Sequence, residues 1–232
     1  MISGFLLINK DSGITSSRVV QIIKKKFNFK KVGHLGTLDP MAKGLLILAI
    51  NRATKFSSLL LQSNKSYYAE VTLGQQTDTD DAEGAITAIQ KVVCKDQEVK
   101  AKLLAFLGES QQFAPAYSAL KHKGKPMYKY ARDGIRVDKE ARTITVNQID
   151  HITIDLPKVS FDIACSKGTY IRSIARDLGN QLKCGGHLSD LIRTSQEKFS
   201  INDASSIDEV SEDKIIPLEN AFDNFNSITL DQ

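Results

Sequence analysis

The sequence predicts a fold in which α-helices and β-strands are interspersed along the chain. Continuous apolar runs such as Leu45–Ile50, and alternating ones such as Tyr67–Leu73, are typical of strands. Apolar residues at helical spacing recur between them, first over residues 16–27. With 41% hydrophobic and 25% charged residues, the 232-residue chain resembles globular proteins that bury a sizeable core.

The N-terminal half is predicted to contain three strands and three helices. The strands are Phe5–Ile8, Leu45–Ile50 and Tyr67–Leu73, and the helices are residues 16–27, 53–60 and 96–107, the last ended by Gly108. The first helix places Val19, Val20, Ile23 and Phe27 on one face and Arg18, Lys24 and Lys25 on the other. Because neighbouring side chains alternate in a strand, Tyr67 and Tyr68 are expected on opposite faces.

The C-terminal half is predicted to contain three more strands and one helix. The strands are residues 143–154, 159–164 and 187–194. A glycine-containing turn leads into the helix, whose buried face carries Ile171, Ile174, Ala175 and Leu178. Gly185 and Gly186 are expected to end it.

Charge is distributed unevenly along the chain. Residues 203–232 contain eight acidic side chains and one basic side chain, which leaves 30 basic and 19 acidic side chains, a net charge of +11, in residues 1–202. A basic body suits a polyanionic partner such as nucleic acid. A generally soluble surface remains an alternative on charge alone.

The cysteines and the N-terminus indicate a cytoplasmic protein. Cys94, Cys165 and Cys184 are widely spaced and form no C-x-x-C pair, so we expect reduced thiols and no structural zinc. The N-terminus lacks the features of a signal peptide, and no apolar run is long enough to span a membrane.

Residues 33–44 combine three glycines, a proline, a histidine and one carboxylate. Glycine permits positive φ and close approach of a ligand. Pro40 biases Asp39 towards an extended conformation, so the carboxylate is expected to project from a stiff loop. A simple Asp-Pro turn is the alternative, but the basic run 24–31 just before the loop favours a site.

Four acids lie within residues 77–84, a density that suggests a calcium loop. The order of ligands and the terminal glutamate of an EF-hand are missing, so we expect no metal here. Asp81 is expected to be a buried acid that pairs with a basic neighbour or caps a loop.

Residues 111–132 interleave lysines with tyrosines. Cations that contact phosphates and rings that stack on bases are typical of an RNA-binding segment. A solvated loop and helix would show a similar composition.

Several of these stretches resemble the motifs of the tRNA pseudouridine synthase B (TruB) family. Residues 33–44 match G-H-x-G-x-L-D-P-x-A-x-G, and Lys65 to Tyr67 match K-x-Y. Further matches are Q-x-x-P-x-[YF]-S-A from Gln112, C-S-x-G-T-Y-I-R from Cys165, and G-x-H-[LV]-x-x-L-x-R from Gly185. Lys10 lies in N-K-x-x-G-x-T-S, where the family usually has D-K-P-x-G-x-T-S. The resemblance covers about residues 3–200.

The resemblance implies an α/β fold of α+β type, the pseudouridine synthase fold, with a mixed or antiparallel central sheet flanked by helices. Residues 1–202 would form the catalytic domain, with an RNA-gripping insertion at about 111–142. The acidic segment 203–232 would be the start of a PUA-like domain that this chain is too short to contain.

The resemblance also implies the activity and its residues. The family isomerises uridine 55 of the tRNA T-arm to pseudouridine after flipping the base. Asp39, Tyr67 and Arg172 match its catalytic residues, and His34, Tyr67, Tyr170 and Leu191 match its substrate-binding residues. Whether Asp39 attacks the ribose, attacks the base or removes a ribose proton stays open. An isomerisation requires no redox cofactor, ATP or metal.

The expected partner is tRNA, bound by a cytoplasmic monomer without guide RNA or protein partner. Three alternatives are a non-catalytic tRNA-binding or folding module, which belongs to a different class, a guide-RNA-dependent synthase, and a hydrolase using Asp39. The last is weakened because no partner acid stands at a recognisable spacing.

Overall fold

The computed structural model describes residues 2–118, 120–122, 124–135 and 140–222. They fall into two compact units. The terminal unit comprises the described residues of Met1–Gln62 and Ser195–Gln232, and the central unit comprises those of Ser63–Thr194.

The described elements are numbered along the chain. The helices are α1 (Ser16–Lys26), α2 (Ser57–Leu61), α3 (Asp96–Leu104), α4 (Met127–Arg132), α5 (Ile171–Gln181) and α6 (Leu218–Ala221). The strands are β1 (Gly4–Lys10), β2 (Val32–His34), β3 (Lys43–Ile50), β4 (Lys65–Leu73), β5 (Gln75–Thr77), β6 (Ile86–Ile89), β7 (Gly108–Gln112), β8 (Lys121–His122), β9 (Lys125–Pro126), β10 (Arg142–Asp155), β11 (Lys158–Cys165), β12 (Gly186–Gln196), β13 (Phe199–Ser200) and β14 (Ile216–Pro217).

The terminal unit is built on β1 and β3, which pair antiparallel from Gly4 opposite Ile50 to Lys10 opposite Gly44. The antiparallel strand β14 lies on the other side of β1, and β2 pairs with β3. Nearly every residue of β1 and β3 is buried, as expected of strands covered on both faces. Residues from the later part of the chain complete this core, including Phe199 and Ala221.

The helix α1 begins where the sequence predicts. Thr15 is its N-cap residue, and its hydroxyl accepts from the backbone N–H of Arg18, which satisfies one of the free donors of the first turn. Val19 and Ile23 are buried, whereas Arg18, Lys24 and Lys25 are exposed.

The single α-helix predicted over residues 53–60 is only partly correct, because its first half is a 3-10 helix. A 3-10 helix, Asn51–Phe56, leads into the short α2. The Thr54 hydroxyl donates to the carbonyl of Asn51, and the Ser57 hydroxyl donates to that of Thr54, each 2.8 Å away. Such hydroxyl bonds compete with regular helical hydrogen bonding.

The central unit contains a sheet with the order β12-β4-β11-β10-β7. The pairs β4–β11, β11–β10 and β10–β7 are antiparallel. Tyr67 is buried and Tyr68 half-buried on alternating positions of β4, which confirms that they point to opposite faces. Helix α5 packs against β4, and α3 packs against both α5 and β10. The expected mixture of helices with a mostly antiparallel sheet is confirmed.

Two short hairpins, β5–β6 and β8–β9, complete the strands of the central unit. Its helix α3 ends at Leu104, earlier than the predicted 107, and β7 starts at Gly108. Among the helices that the structure describes, none is both long and apolar enough to cross a membrane.

Candidate active site

The Asp39 loop, residues 35–42, connects β2 to β3 in the terminal unit. Gly36 and Gly44 have φ of 111° and 98°, the left-handed region in which glycine is favoured. The side chains of Leu35, Leu38, Met41 and Ala42 are buried, whereas Asp39 is half-buried. The apolar neighbours therefore anchor the loop, and Asp39 itself is only partly covered.

Two polar side chains bind the backbone on either side of Asp39. The Ser16 hydroxyl donates to the carbonyl of Leu38 (2.8 Å) and accepts from its N–H (2.9 Å). The Lys10 ammonium donates to the carbonyl of Pro40 (3.2 Å), which also accepts from the N–H of Gly13 (2.8 Å). The residues before and after Asp39 are thus both fixed, as the stiff loop predicted from the sequence requires.

Lys10 is 0% exposed. Its ammonium also donates to the carbonyls of Asp11 (2.9 Å) and Ile14 (2.8 Å). A buried cation is tolerated when such partners replace its water. Lys10 therefore joins the N-K-x-x-G-x-T-S segment to the Asp39 loop, a connection that sequence reasoning did not foresee.

His34 is the last residue of β2, opposite Leu48 of β3. The sequence places it in a loop, and the structure places it in a strand directly before the Asp39 loop. Its side chain is half-buried. The terminal unit therefore contains two of the predicted site residues, His34 and Asp39.

Arg172 lies in the first turn of α5 in the central unit and is 5% exposed. Its guanidinium donates to the carbonyls of Thr79 (2.9 Å) and Tyr117 (2.8 Å) and lies 3.3 Å from the carboxylate of Asp81. Asp81 also accepts from the Thr79 hydroxyl and the N–H of Glu83. The expectation that Asp81 is a buried acid with a basic partner is confirmed.

Two other acidic residues near Asp81, in the acidic run 77–84, also have described partners. Asp80 and Asp177 both bind Arg176 of α5, at 3.0 Å and 2.8 Å, and Asp78 accepts from the N–H of Ala85. Burial opposes the charged form of Arg176, but the two carboxylates outweigh it and raise the pKa of its guanidinium. Within the described ranges, no three His, Cys, Asp or Glu side chains converge as metal ligands would.

Tyr67 lies on β4 and is 8% exposed. Its side chain is hydrogen-bonded to that of Arg193 on β12, which is 1% exposed. Burial lowers the pKa of the Arg193 guanidinium, and Tyr67 partly offsets this effect. The sequence motif includes Arg193, but nothing local in it indicates that the arginine contacts Tyr67.

Tyr170 is the N-cap residue of α5 and is half-buried. Gln112 of β7 binds its backbone twice, accepting from the N–H of Tyr170 (2.8 Å) and donating to its carbonyl (3.1 Å). The Arg142 guanidinium lies over the Tyr170 ring, 5.7 Å from its centre. Leu191 of β12 is buried in the same unit.

The lysine- and tyrosine-rich stretch contains the hairpin β8–β9 and the helix α4. Lys125 forms an ion pair with Asp133 (2.8 Å) and lies 4.8 Å from the centre of the Tyr130 ring. Lys129 is exposed. Lys123 lies outside the described residues, as do the side chains of Lys121, Tyr128 and Arg132.

A family model matches residues 24–171 of the chain: "TruB family pseudouridylate synthase (N terminal domain)". Among curated proteins, tRNA pseudouridine synthase B of Alkaliphilus oremlandii is 45% identical over 94% of this chain and 74% of its own length. The protein of that name from Clostridium kluyveri is 41% identical over 98% of this chain and 80% of its own length.

Solved structures show the same fold. A Cbf5-Nop10-Gar1 complex contains a chain that is 28% identical, with a TM-score of 0.72 over 94% of this chain and 61% of that one. An H/ACA RNP bound to a substrate RNA containing 2'-deoxyuridine matches with 27% identity and a TM-score of 0.67, over 89% of this chain and 51% of that one. The chain thus spans half to three-fifths of these structural relatives.

Proposed function

Because the chain belongs to the TruB family of pseudouridylate synthases, we propose that it converts uridine 55 in the T-arm of tRNA to pseudouridine. In this isomerisation the N1–C1′ bond breaks, the uracil turns and a C5–C1′ bond forms. The proton on C5 is lost and N1 gains one, so atoms and electrons balance without a redox partner.

The observation that carries the proposal is the fixed backbone around Asp39. Ser16 binds the residue before it and Lys10 binds the residue after it, so the half-buried Asp39 lies in a loop that its neighbours immobilise. Such preorganisation is what a reacting group requires. A carboxylate can attack C1′, add to the base or remove a ribose proton, and all three roles need its ionised form.

We assign the other roles from the residues that match the family motifs. Arg172 matches the arginine among the catalytic residues of the family, and we assign it a role in the chemical step. Tyr67 stacks on the uracil and assists removal of the C5 proton, while Tyr170 and Leu191 complete the pocket. Their partners support this assignment, because Asp81 and Arg193 bind the side chains of Arg172 and Tyr67, and Gln112 binds the backbone of Tyr170.

The target uridine lies in a folded loop, so it must be flipped out, at a cost of about a few kcal/mol. We propose that His34 stacks in the RNA and compensates for the vacated position. Its location directly before the Asp39 loop supports the proposal, because both residues would then meet the RNA at the same place.

The exposed face of α1 is a further RNA contact in this proposal. Lys24, Lys25 and Lys26 are all exposed, and the Lys26 ammonium also donates to the carbonyls of Ile207 and Asp208. We therefore expect Lys24 and Lys25, more than Lys26, to contribute to the salt dependence of tRNA binding.

We further propose that the chain acts in the cytoplasm, as a monomer, without guide RNA or protein partner. The two curated relatives that match it at 41% and 45% identity are both named tRNA pseudouridine synthase B, after a tRNA substrate. The structures named for Cbf5 complexes and an H/ACA RNP match it at 27–28% identity.

The test is tritium release from tRNA transcript labelled with [5-³H]uridine. We expect the wild type to release tritium and Asp39→Asn to release at least about a thousandfold less, because the amide cannot serve as an ionised carboxylate. A transcript with cytidine at position 55 is the substrate control, and filter binding measures tRNA affinity for both proteins.

Release from the cytidine-55 transcript would disprove the assigned position. Unchanged release by Asp39→Asn would disprove the role of Asp39. No release by the wild type, together with tight tRNA binding, would instead support a non-catalytic tRNA-binding protein.

A further inference from the structure

Arg142, at the start of β10, is a cation that the proposed reaction does not yet use. No ion pair joins it to a carboxylate within the part of the chain that the structure describes, and its Nε is buried without a hydrogen-bond partner there. The residue itself is half-buried. Burying a guanidinium is costly unless a counterion or an acceptor compensates its charge, and a bound ligand can supply one.

The position of Arg142 relative to Tyr170 is fixed by one strand pair. Arg142 lies directly opposite Gln112 in the β7–β10 register, and Gln112 binds both the N–H and the carbonyl of Tyr170. The guanidinium in turn lies 5.7 Å from the centre of the Tyr170 ring, within the range of a cation–π contact. The ring and the cation therefore form one rigid surface.

The backbone leaves space for this guanidinium at Gly168. A Cβ atom at that position would lie 3.3 Å from Nη1 of Arg142, and its φ of +79° also disfavours any other residue. Glycine thus permits the cation to lie close to the turn that precedes α5.

We infer that Arg142 binds a backbone phosphate next to the target uridine while Tyr170 contacts that nucleotide's base. This inference rests on the proposed function. A planar guanidinium matches the two oxygens of a phosphate in a bidentate pair, and a nucleotide whose base contacts Tyr170 has its own phosphate one ribose away. The ligand is thus a phosphodiester of the bound RNA.

The experiment uses T-arm hairpin RNAs in which the phosphate on the 5′ or the 3′ side of the target uridine is replaced by uncharged methylphosphonate. Affinities are measured for the wild type, Arg142→Gln and Arg142→Lys. Arg52→Gln, a change of an exposed arginine in the terminal unit, is the matched control. Thermal unfolding of each variant establishes that it is folded.

We expect one of the two replacements to weaken wild-type binding about tenfold, in keeping with the loss of a charge-assisted hydrogen bond. Arg142→Gln should lose about the same factor with unmodified RNA and lose nothing further with that methylphosphonate. Arg142→Lys should retain part of the sensitivity because it keeps the charge, and Arg52→Gln should behave as the wild type.

Equal sensitivity to methylphosphonate in wild type and Arg142→Gln would overturn the inference and leave Arg142 as a support for the Tyr170 ring. Tritium release by the wild type from the unmodified hairpin, measured on the same preparations, separates this result from a failure of the proposed function. Release with no methylphosphonate effect contradicts the Arg142 inference alone, and no release contradicts the proposed function.

Discussion

Among the bonds described for two buried cations, one in each unit, the partners differ in kind. Lys10 donates to the backbone carbonyls of Asp11, Ile14 and Pro40, whereas Arg172 faces the carboxylate of Asp81 as well as two carbonyls. Carbonyl acceptors belong to the main chain, so Lys10 determines the path of a loop. A carboxylate supplies opposite charge, so Asp81 compensates the buried charge of Arg172.

The comparison predicts the largest loss of stability at Asp81. Asp81→Ala would leave the 5% exposed Arg172 without this counterion, and breaking a buried pair typically costs about 3–5 kcal/mol. Urea unfolding measures the free energy directly. Asp78→Ala is the matched control, since Asp78 is exposed and accepts only a backbone N–H among its described bonds. Similar costs for both variants would mean that the Asp81–Arg172 pair contributes no special stability.

The second prediction tests the other cation. Lys10→Met keeps the length of the side chain but removes donors from three carbonyls. We expect a loss of about 2–3 kcal/mol in unfolding free energy, because unsatisfied acceptors cost about 1–3 kcal/mol each, while the carbonyl of Pro40 keeps the N–H of Gly13 as a donor. Lys30→Met changes an exposed lysine and should cost almost nothing. If the two variants unfold at the same urea concentration, Lys10 does not fix the loop.

The fold was predictable where burial leaves a periodic pattern. Strand β3 contains the continuous apolar run Leu45–Ile50, and helix α5 is apolar on one face. Both were predicted from those patterns. Strand β7 has no apolar side chain over Gly108–Gln112, so no local pattern indicates it. It forms because β10 offers an unpaired edge, and pairing of this kind overrides local propensity.

In the candidate site, too, residues within a local motif were predictable, and contacts between distant parts of the chain were not. Asp39, Tyr67 and Arg172 were predicted as site residues because they lie in contiguous motifs; Asp39 lies in the loop after β2, Tyr67 on β4 and Arg172 on α5. Their partners were not identifiable in this way. Lys10 and Pro40 are 30 positions apart, and Gln112 and Tyr170 are 58 apart. Contacts of this separation depend on which strands become neighbours, and a single sequence does not state that.

The third prediction concerns the geometry of Arg172 rather than its charge. Lysine keeps the charge but lacks the planar fork, so Arg172→Lys cannot serve Asp81, Thr79 and Tyr117 together. We expect tritium release to slow about tenfold, equivalent to about 1.4 kcal/mol, with tRNA affinity nearly unchanged. Equal losses in rate and affinity would count against a role for Arg172 in the chemical step.

The smallest effect is expected at Ser16, which contacts the same loop as Lys10 but carries no charge. Ser16→Ala removes two hydrogen bonds to Leu38 and should cost about 1–2 kcal/mol. Ser17→Ala, next to it but exposed, controls for the change in helix propensity. Because Lys10 would still bind Pro40, the loop should keep its path, and the rate of tritium release should fall less than in Lys10→Met. A larger rate loss in Ser16→Ala than in Lys10→Met would show that the residue before Asp39, rather than the one after it, determines where the carboxylate lies.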